Sequence, residues 1–465
     1  MTKPHSDALV FFGVTGDLAY KQIFPALQAL ARRGELEMPV IGVARSDWSP
    51  QQFQDRVRDS LEKHGGVDEA AFAKLSSRLQ FLSGNYTDDD TYRRLHELLG
   101  AAKHPLHYLA IPPSMFEPVA QGLAKSGCGE GARIIVEKPF GRDLASAQQL
   151  NLTLHKFFAE DAIFRMDHYL GKEAVENLHY FRFANTFVEP VWNSTYIASV
   201  QITMAEQFGV QGRGAFYEEV GALRDVVQNH LLQVLALLTM EPPQGSDVDS
   251  MRDEKLRVLK AMRPLEPAEL VRGQFEGYRD EEGVAPGSVV ETFAALRLHI
   301  DNARWEGVPF YIRAGKQLPV TGTEVLVRLK QPAHPVFSVD RSCCENYFRF
   351  RLSPDVLIAI GARTKLPGQA MTGEASELIA QRHAHEEMTP YERLLGDAMH
   401  GDTALFTRGD TVEAAWKVVD PVLDSKAASL AYAPGTWGPA AATDIIAGDG
   451  GWNELSIESK KDDAK

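Results

Sequence analysis

Ala8-Leu9-Val10-Phe11-Phe12 is an unbroken apolar run that stops at Gly13, and the residues after it switch at once to a helical period. A strand with no polar alternation must be covered on both faces, which in practice means a parallel sheet flanked by helices. Leu18, Ile23, Leu27 and Leu30 mark the first helix, which breaks near Gly34. Pro39 to Ala44 then forms a second run of the same type. Leu106 to Ile111 and Arg133 to Val136 are later ones, with helical stretches between them. Alternating β and α segments of this kind predict an α/β domain with a Rossmann-like, doubly wound parallel sheet.

After about residue 180 the pattern changes. Tyr196 to Met204, Phe293 to His299, Glu324 to Lys330 and Asn346 to Leu352 alternate polar and apolar residues. Half-polar strands of this sort belong to an antiparallel sheet packed by helices on one face. The strongest helix runs from Leu223 to about Leu238. The expected C-terminal domain is therefore α+β, with a large, mostly antiparallel sheet and packed helices. The predicted boundaries are 1–175 and 176–465, in keeping with a 465-residue chain that is too long for one core. Lys460 to Lys465 is expected to be a frayed tail.

Charge and cysteine usage narrow the functional classes. A net charge of −14 argues against a nucleic-acid binder, yet leaves room for an anionic small molecule held by a few local cations. Cys128, Cys343 and Cys344 make no metal-ligand spacing and no disulfide framework, so no metal is expected and a reducing cytoplasm fits. Ala8 to Phe12 is too short for a signal peptide, and nothing approaches the roughly 20 apolar residues that span a bilayer.

Two segments carry chemistry. Asp167-His168-Tyr169-Leu170-Gly171-Lys172 gathers a carboxylate, an imidazole, a phenol and an ammonium around a glycine. Those donors suit an anionic, hydroxyl-rich ligand, and a carboxylate can orient a base. Lys172 follows Gly171 at the predicted start of a helix, where free amides would add to its charge. The other segment is Gly13-Val14-Thr15-Gly16-Asp17-Leu18-Ala19, set between the first strand and the first helix. Glycines there let the backbone approach a pyrophosphate. The second strand ends in Ala44-Arg45-Ser46 rather than in an acid. Arg45 can grip a 2′-phosphate through a charge-assisted fork with Ser46 as a second donor, which favours NADP, with NAD as the alternative.

Taken together, these segments identify a family. The chain resembles glucose-6-phosphate dehydrogenases along nearly its full length. The matching stretches are GVTGDLA at Gly13, VARS at Val43, EKPFGRDL at Glu137 and RMDHYLGKE at Arg165. GRGAFYEEVGALRDVVQNHLLQ at Gly212, RAGKQL at Arg313, YERLLGDAMHGDTALF at Tyr391 and YAPGTWGPA at Tyr432 follow in the same order.

The resemblance implies oxidation of D-glucose 6-phosphate at C1 to the 6-phospho-lactone with hydride transfer to NADP, the first oxidative step of the pentose phosphate pathway. It implies that His230 is the general base and that Asp167 orients it. Gly13, Thr15, Gly16, Asp17, Leu18, Arg45 and Ser46 fall on the cofactor. Lys138, before Pro139 and its associated cis bond, meets both cofactor and substrate. His168, Tyr169 and Lys172 match the phosphate-binding group, with Lys316 as a further contact, while Glu206 and Asp225 match residues that hold sugar hydroxyls. A homodimer or homotetramer built through the large sheet is also implied.

Elementary chemistry agrees in part. Taking a proton from an alcohol during hydride loss needs a base, and a neutral imidazole suits that task. At about 100° per residue, Asp225 would lie roughly 140° around an α-helix from His230, so a direct pair is not expected. Two departures weaken the cationic field. Gln22 stands where the family carries the last lysine of GDLAKKK, and Thr321 stands where a second basic residue follows Lys316. Tyr20 and Phe116, the latter where a tyrosine is frequent, are milder changes. The alternatives are a dehydrogenase of another phosphorylated or anionic hexose, for which Gln22 and Thr321 are the support, and a non-catalytic nucleotide-binding homologue. Retention of Asp167, His168, Lys172, Asp225 and His230 argues against the last.

Overall fold

The continuous apolar runs of the N-terminal half do become buried parallel strands. In the computed structural model, β1 (Ala8–Phe12), β2 (Val40–Ala44), β3 (Leu79–Ser83), β4 (Pro105–Leu109), β5 (Arg133–Glu137) and β6 (Ile163–Met166) form one six-stranded sheet. Its order is β3-β2-β1-β4-β5-β6 with every pair parallel. Strand order reverses between β1 and β4, and ligands of such sheets bind outside the carboxyl ends of the strands at that point. β4 stops short of its predicted end at Ile111. β3 escaped the sequence reading because Leu79-Gln80-Phe81-Leu82-Ser83 is only half apolar.

The structure describes residues 4–334, 336, 346–382, 388–425 and 427–455. Cys343, Cys344 and the tail from Lys460 lie outside them. The chain forms two compact units: Met1–Lys172 with Gly245–Arg252 and Glu387–Glu413, and Glu173–Gln244 with Asp253–Glu386 and Ala414–Lys465. No helix among the described residues is long and apolar enough to cross a membrane.

Residues 387–413 join the first unit because the helix Pro390–His400 has an apolar face to bury. Leu394, Leu395, Ala398 and Met399 share a core with Phe24, Leu27 and Leu30, each leucine, methionine or phenylalanine contributing about 1.5–3 kcal/mol of burial. Thr389 and Glu392 form a capping box with Pro390 at the first turn, and Gly401 (φ 75°) ends the helix. Arg33 also donates to Glu392 over 2.7 Å.

The second unit holds a nine-stranded sheet: β7 (Ile197–Ala205), β8 (Leu270–Phe275), β9 (Phe293–Leu298), β10 (Phe310–Gly315), β11 (Gly322–Leu329), β12 (Tyr347–Ser353), β13 (Val356–Lys365), β14 (Gly373–Arg382) and β15 (Leu430–Tyr432). The order is β14-β13-β12-β11-β7-β10-β9-β8-β15. All pairs are antiparallel except β7 with β10 and β8 with β15. The helix Leu232–Thr239 is buried all round, as a central helix must be. Its last carbonyls find donors in the indoles of Trp192 and Trp305 and in the guanidinium of Arg182, which answers the unpaired acceptors of a buried helix end.

Candidate active site

In the first unit, the glycine loop sits at the carboxyl end of β1. Gly13 has φ 82°, and a Cβ there would lie 2.1 Å from the Ala110 carbonyl oxygen, so only glycine fits. The Gly13 N–H donates to the Val43 carbonyl (3.0 Å) and to the Tyr86 hydroxyl (3.0 Å), while Tyr86 in turn donates to Val43 (3.2 Å). Tyr86 therefore staples the loop to the end of β2. Burial raises its phenol above the ordinary value, with Gly13 and Arg45 opposing. Sequence reasoning missed this residue, since a lone tyrosine after a half-apolar strand carries no local signal.

Gly16 and Asp17 are exposed, Thr15 and Leu18 half-buried, and Arg45 exposed with Ser46 half-buried beside it. A tight glycine cradle at the switch point, with an exposed cation at the end of β2, fits a dinucleotide carrying an extra phosphate.

The segment after β6 coils tightly. Leu170, Gly171 and Lys172 donate their N–H groups to the carbonyls of Asp167, His168 and Tyr169, and the Tyr169 N–H reaches the Asp167 carboxylate over 2.9 Å. Gly171 is needed for contact: a Cβ would meet the Pro390 carbonyl oxygen at 2.8 Å. The result buries Asp167, Tyr169 and Leu170 and leaves His168 and Lys172 half-exposed. The His168 ring stacks on Tyr391 (6.0 Å, 9°), and the Lys172 ammonium lies 3.9 Å from the centroid of the Tyr169 ring.

Beneath this turn is a buried acid that sequence reasoning did not single out. Glu137, at the end of β5, accepts from the Tyr108 hydroxyl over 2.5 Å. Burial pushes its carboxyl up to about 7; Tyr108 and Lys138 oppose the shift and Asp167 adds to it. Lys138 follows it half-buried, joined to Pro139 by a cis peptide bond.

In the second unit, the parallel pair β7 and β10 ends at Glu206 and Lys316. Their side chains meet at 2.6 Å, and Asp225 lies 4.0 Å from the same ammonium. The Lys316 ammonium also lies near the rings of Phe208 (4.8 Å) and Tyr217 (5.6 Å). An ammonium between two carboxylates offers donors and acceptors in alternation, which suits a polyol.

The helix bearing Asp225 and His230 corrects the sequence argument. Leu223–Leu231 is π-helical, with the Leu232 N–H reaching back to the Val227 carbonyl. An i→i+5 ladder turns through a smaller angle per residue than an α-helix, so Asp225 and His230 lie closer around the helix than the roughly 140° that the α-helical estimate gave. Buried Glu291 fixes the start of this segment. It accepts from the Leu223 N–H (3.2 Å), pairs with Arg272 (2.5 Å), and fills the space where a Cβ on Gly221 would sit. His230 is itself buried, and its N–H donates to the Asn229 side chain over 2.7 Å.

The departures also have structural partners. Tyr20 is buried, donates to the Asp59 carboxylate and carries Arg56 over its ring at 3.8 Å, so it serves packing between helices. Gln22 is exposed, and Lys21 pairs with Asp17 at 2.9 Å. The Thr321 hydroxyl accepts the Gln207 N–H over 3.0 Å, pinning the loop that follows Glu206. Phe116 is buried in the core.

The description "Glucose-6-phosphate dehydrogenase, NAD binding domain" matches residues 10–177, and "Glucose-6-phosphate dehydrogenase, C-terminal domain" matches 179–453. The chain is 46% identical over 450 residues to glucose-6-phosphate 1-dehydrogenase 1 of Mycobacterium tuberculosis, covering 96% of each. It is 41% identical to glucose-6-phosphate 1-dehydrogenase of Aggregatibacter actinomycetemcomitans, covering 99% of each. Among solved structures, the Mycobacterium avium glucose-6-phosphate 1-dehydrogenase aligns with a TM-score of 0.92 at 44% identity, over 98% of this chain and 100% of that one. A glucose-6-phosphate dehydrogenase in complex with its substrate glucose-6-phosphate aligns at 0.90 and 36%, with the same coverage.

Proposed function

The chain belongs to the glucose-6-phosphate dehydrogenase family, and from that premise we propose that it oxidises D-glucose 6-phosphate at C1 to 6-phospho-D-glucono-1,5-lactone. The observation that carries this reading is the end-to-end match of both halves of the chain to enzymes of that name. NADP, when bound, would supply the hydride acceptor for C1. Gly13, Thr15, Gly16, Asp17 and Leu18 would hold its pyrophosphate, Arg45 and Ser46 would take the 2′-phosphate, and Lys138 would serve both cofactor and sugar.

The remaining work falls to side chains. His230 removes the proton of the C1 hydroxyl, and Asp167 keeps its imidazole in the accepting tautomer. His168, Tyr169 and Lys172 hold the 6-phosphate through charged and neutral donors. Glu206 and Asp225 accept from sugar hydroxyls, and Lys316 adds a donor beside them. Residues 1–175 bind the cofactor and supply the turn that holds the 6-phosphate, while 176–465 serve the rest of the sugar and assembly into a homodimer or homotetramer. The protein acts in the cytoplasm on a small molecule.

The test is cofactor reduction in the presence of glucose 6-phosphate, glucose and other hexose phosphates, each with NADP and with NAD. Turnover with glucose 6-phosphate and NADP as the best pair is expected. Preference for another hexose phosphate would overturn the substrate assignment, and no turnover despite tight cofactor binding would overturn the enzymatic one.

A further inference from the structure

The Lys316-Gln317 turn is strained and held from two sides. Gln317 has φ 53°, a left-handed conformation that non-glycine residues adopt only where their surroundings impose it. On the N–H side, the sheet supplies the restraint. Lys316 donates to the Thr292 carbonyl (3.0 Å), Gln317 to Phe208 (3.1 Å) and Leu318 to Glu206 (3.0 Å).

On the carbonyl side, the restraint comes from the C-terminal part of the chain. The Tyr432 hydroxyl donates to the Lys316 carbonyl over 2.7 Å, and the Gly435 N–H donates to the Gln317 carbonyl over 2.8 Å. Tyr432 is rigidly presented. It lies on β15 beside β8, is buried, packs its ring 5.6 Å from Phe293, and has the Thr292 hydroxyl 3.1 Å from its own. The residues that follow are tied to β10, the strand that leads into Lys316. The buried Arg313 guanidinium lies 4.4 Å from the Trp437 ring and 4.7 Å from the Trp452 ring, and donates to the Asn453 carbonyl.

We propose that Tyr432 is a positioning residue for substrate binding, whose hydroxyl holds the Lys316-Gln317 turn so that the Lys316 ammonium stays beside Glu206 and Asp225. This inference rests on the assignment of Lys316 to the sugar phosphate site. Tyr432 touches no substrate itself. It acts by keeping a strained turn in one conformation, so its loss weakens sugar binding and leaves proton removal at C1 unaffected.

The experiment compares Tyr432→Phe, Lys316→Ala and the double variant by steady-state kinetics and thermal unfolding. Tyr432→Phe keeps the ring against Phe293 and deletes the hydroxyl, with its bonds to the Lys316 carbonyl and to Thr292. Its KM for glucose 6-phosphate should rise about five- to tenfold, with kcat, the KM for NADP and the melting temperature near wild type. Lys316→Ala should raise the same KM, and adding Tyr432→Phe to it should change nothing further. A wild-type KM in Tyr432→Phe alongside a raised one in Lys316→Ala overturns the positioning role alone. A wild-type KM in Lys316→Ala overturns the role of Lys316 and the inference with it. Fully multiplicative effects in the double variant, or a parallel loss of both KM values and thermal stability in Tyr432→Phe, likewise overturn it.

Discussion

Glu137→Gln isolates the buried acid beneath the Asp167 turn. The amide oxygen can still accept from the Tyr108 hydroxyl, so the change removes a titration while keeping the shape and the hydrogen bond. In the folded protein, burial raises this carboxyl from an ordinary 4.5 to about 7. Below its unfolded-state pKa, the group is protonated in both states and stability is at its full value. As pH rises toward 7, the unfolded chain ionises while the folded one stays neutral, so stability falls. The loss levels off once the folded carboxyl ionises as well. At 1.36 kcal/mol per pKa unit, the interval amounts to about 3 kcal/mol. The assay is urea unfolding of wild type and variant at several pH values from about 4 to about 8. The variant should gain about 3 kcal/mol relative to wild type across that range. A wild-type-minus-variant difference that stays flat with pH would refute the claim that Glu137 is held protonated near neutrality.

The other expectations concern ligands and the loop that holds them. Arg45→Ala should raise the KM for NADP about tenfold or more while leaving that for NAD nearly unchanged, because only NADP offers the 2′-phosphate; parallel shifts with both cofactors would remove Arg45 from that role. Gly13→Ala places a Cβ 2.1 Å from the Ala110 oxygen at φ 82°, so thermal unfolding should show a loss on the order of 2 kcal/mol, and dinucleotide binding by calorimetry should weaken with it. Lys172→Ala should raise the KM for glucose 6-phosphate about 10- to 100-fold, with little effect on any residual turnover of unphosphorylated glucose; equal losses on both sugars would argue that Lys172 holds the turn rather than the phosphate.

Much of the fold was legible because its signals are local. The runs at Ala8, Val40 and Ile134 are apolar without interruption, and they became parallel strands buried on both faces. The alternating stretches near Ile197 and Phe293 became strands of the second sheet. β3 was lost because its sequence is half polar. The return of Pro390–His400 to the first unit depends on which core receives its apolar face, and no local pattern encodes that partner. The proposed site residues were read from motifs, whereas the side chains that support them were not. Tyr86, Glu137, Glu291 and Tyr432 act through hydrogen bonds to residues 19 to 116 positions away, and such pairings leave no mark on sequence spacing. The angular estimate for Asp225 and His230 took 3.6 residues per turn, where the helix has an i→i+5 ladder.

The central claim is that this chain oxidises glucose 6-phosphate with His230 as the base. Its most direct test is His230→Asn, measured for turnover with glucose 6-phosphate and NADP and for sugar binding by calorimetry. Loss of a positioned base should lower kcat by about 10²- to 10⁴-fold, while the Kd for glucose 6-phosphate stays within a few-fold of wild type. A variant that turns over at the wild-type rate would contradict the account.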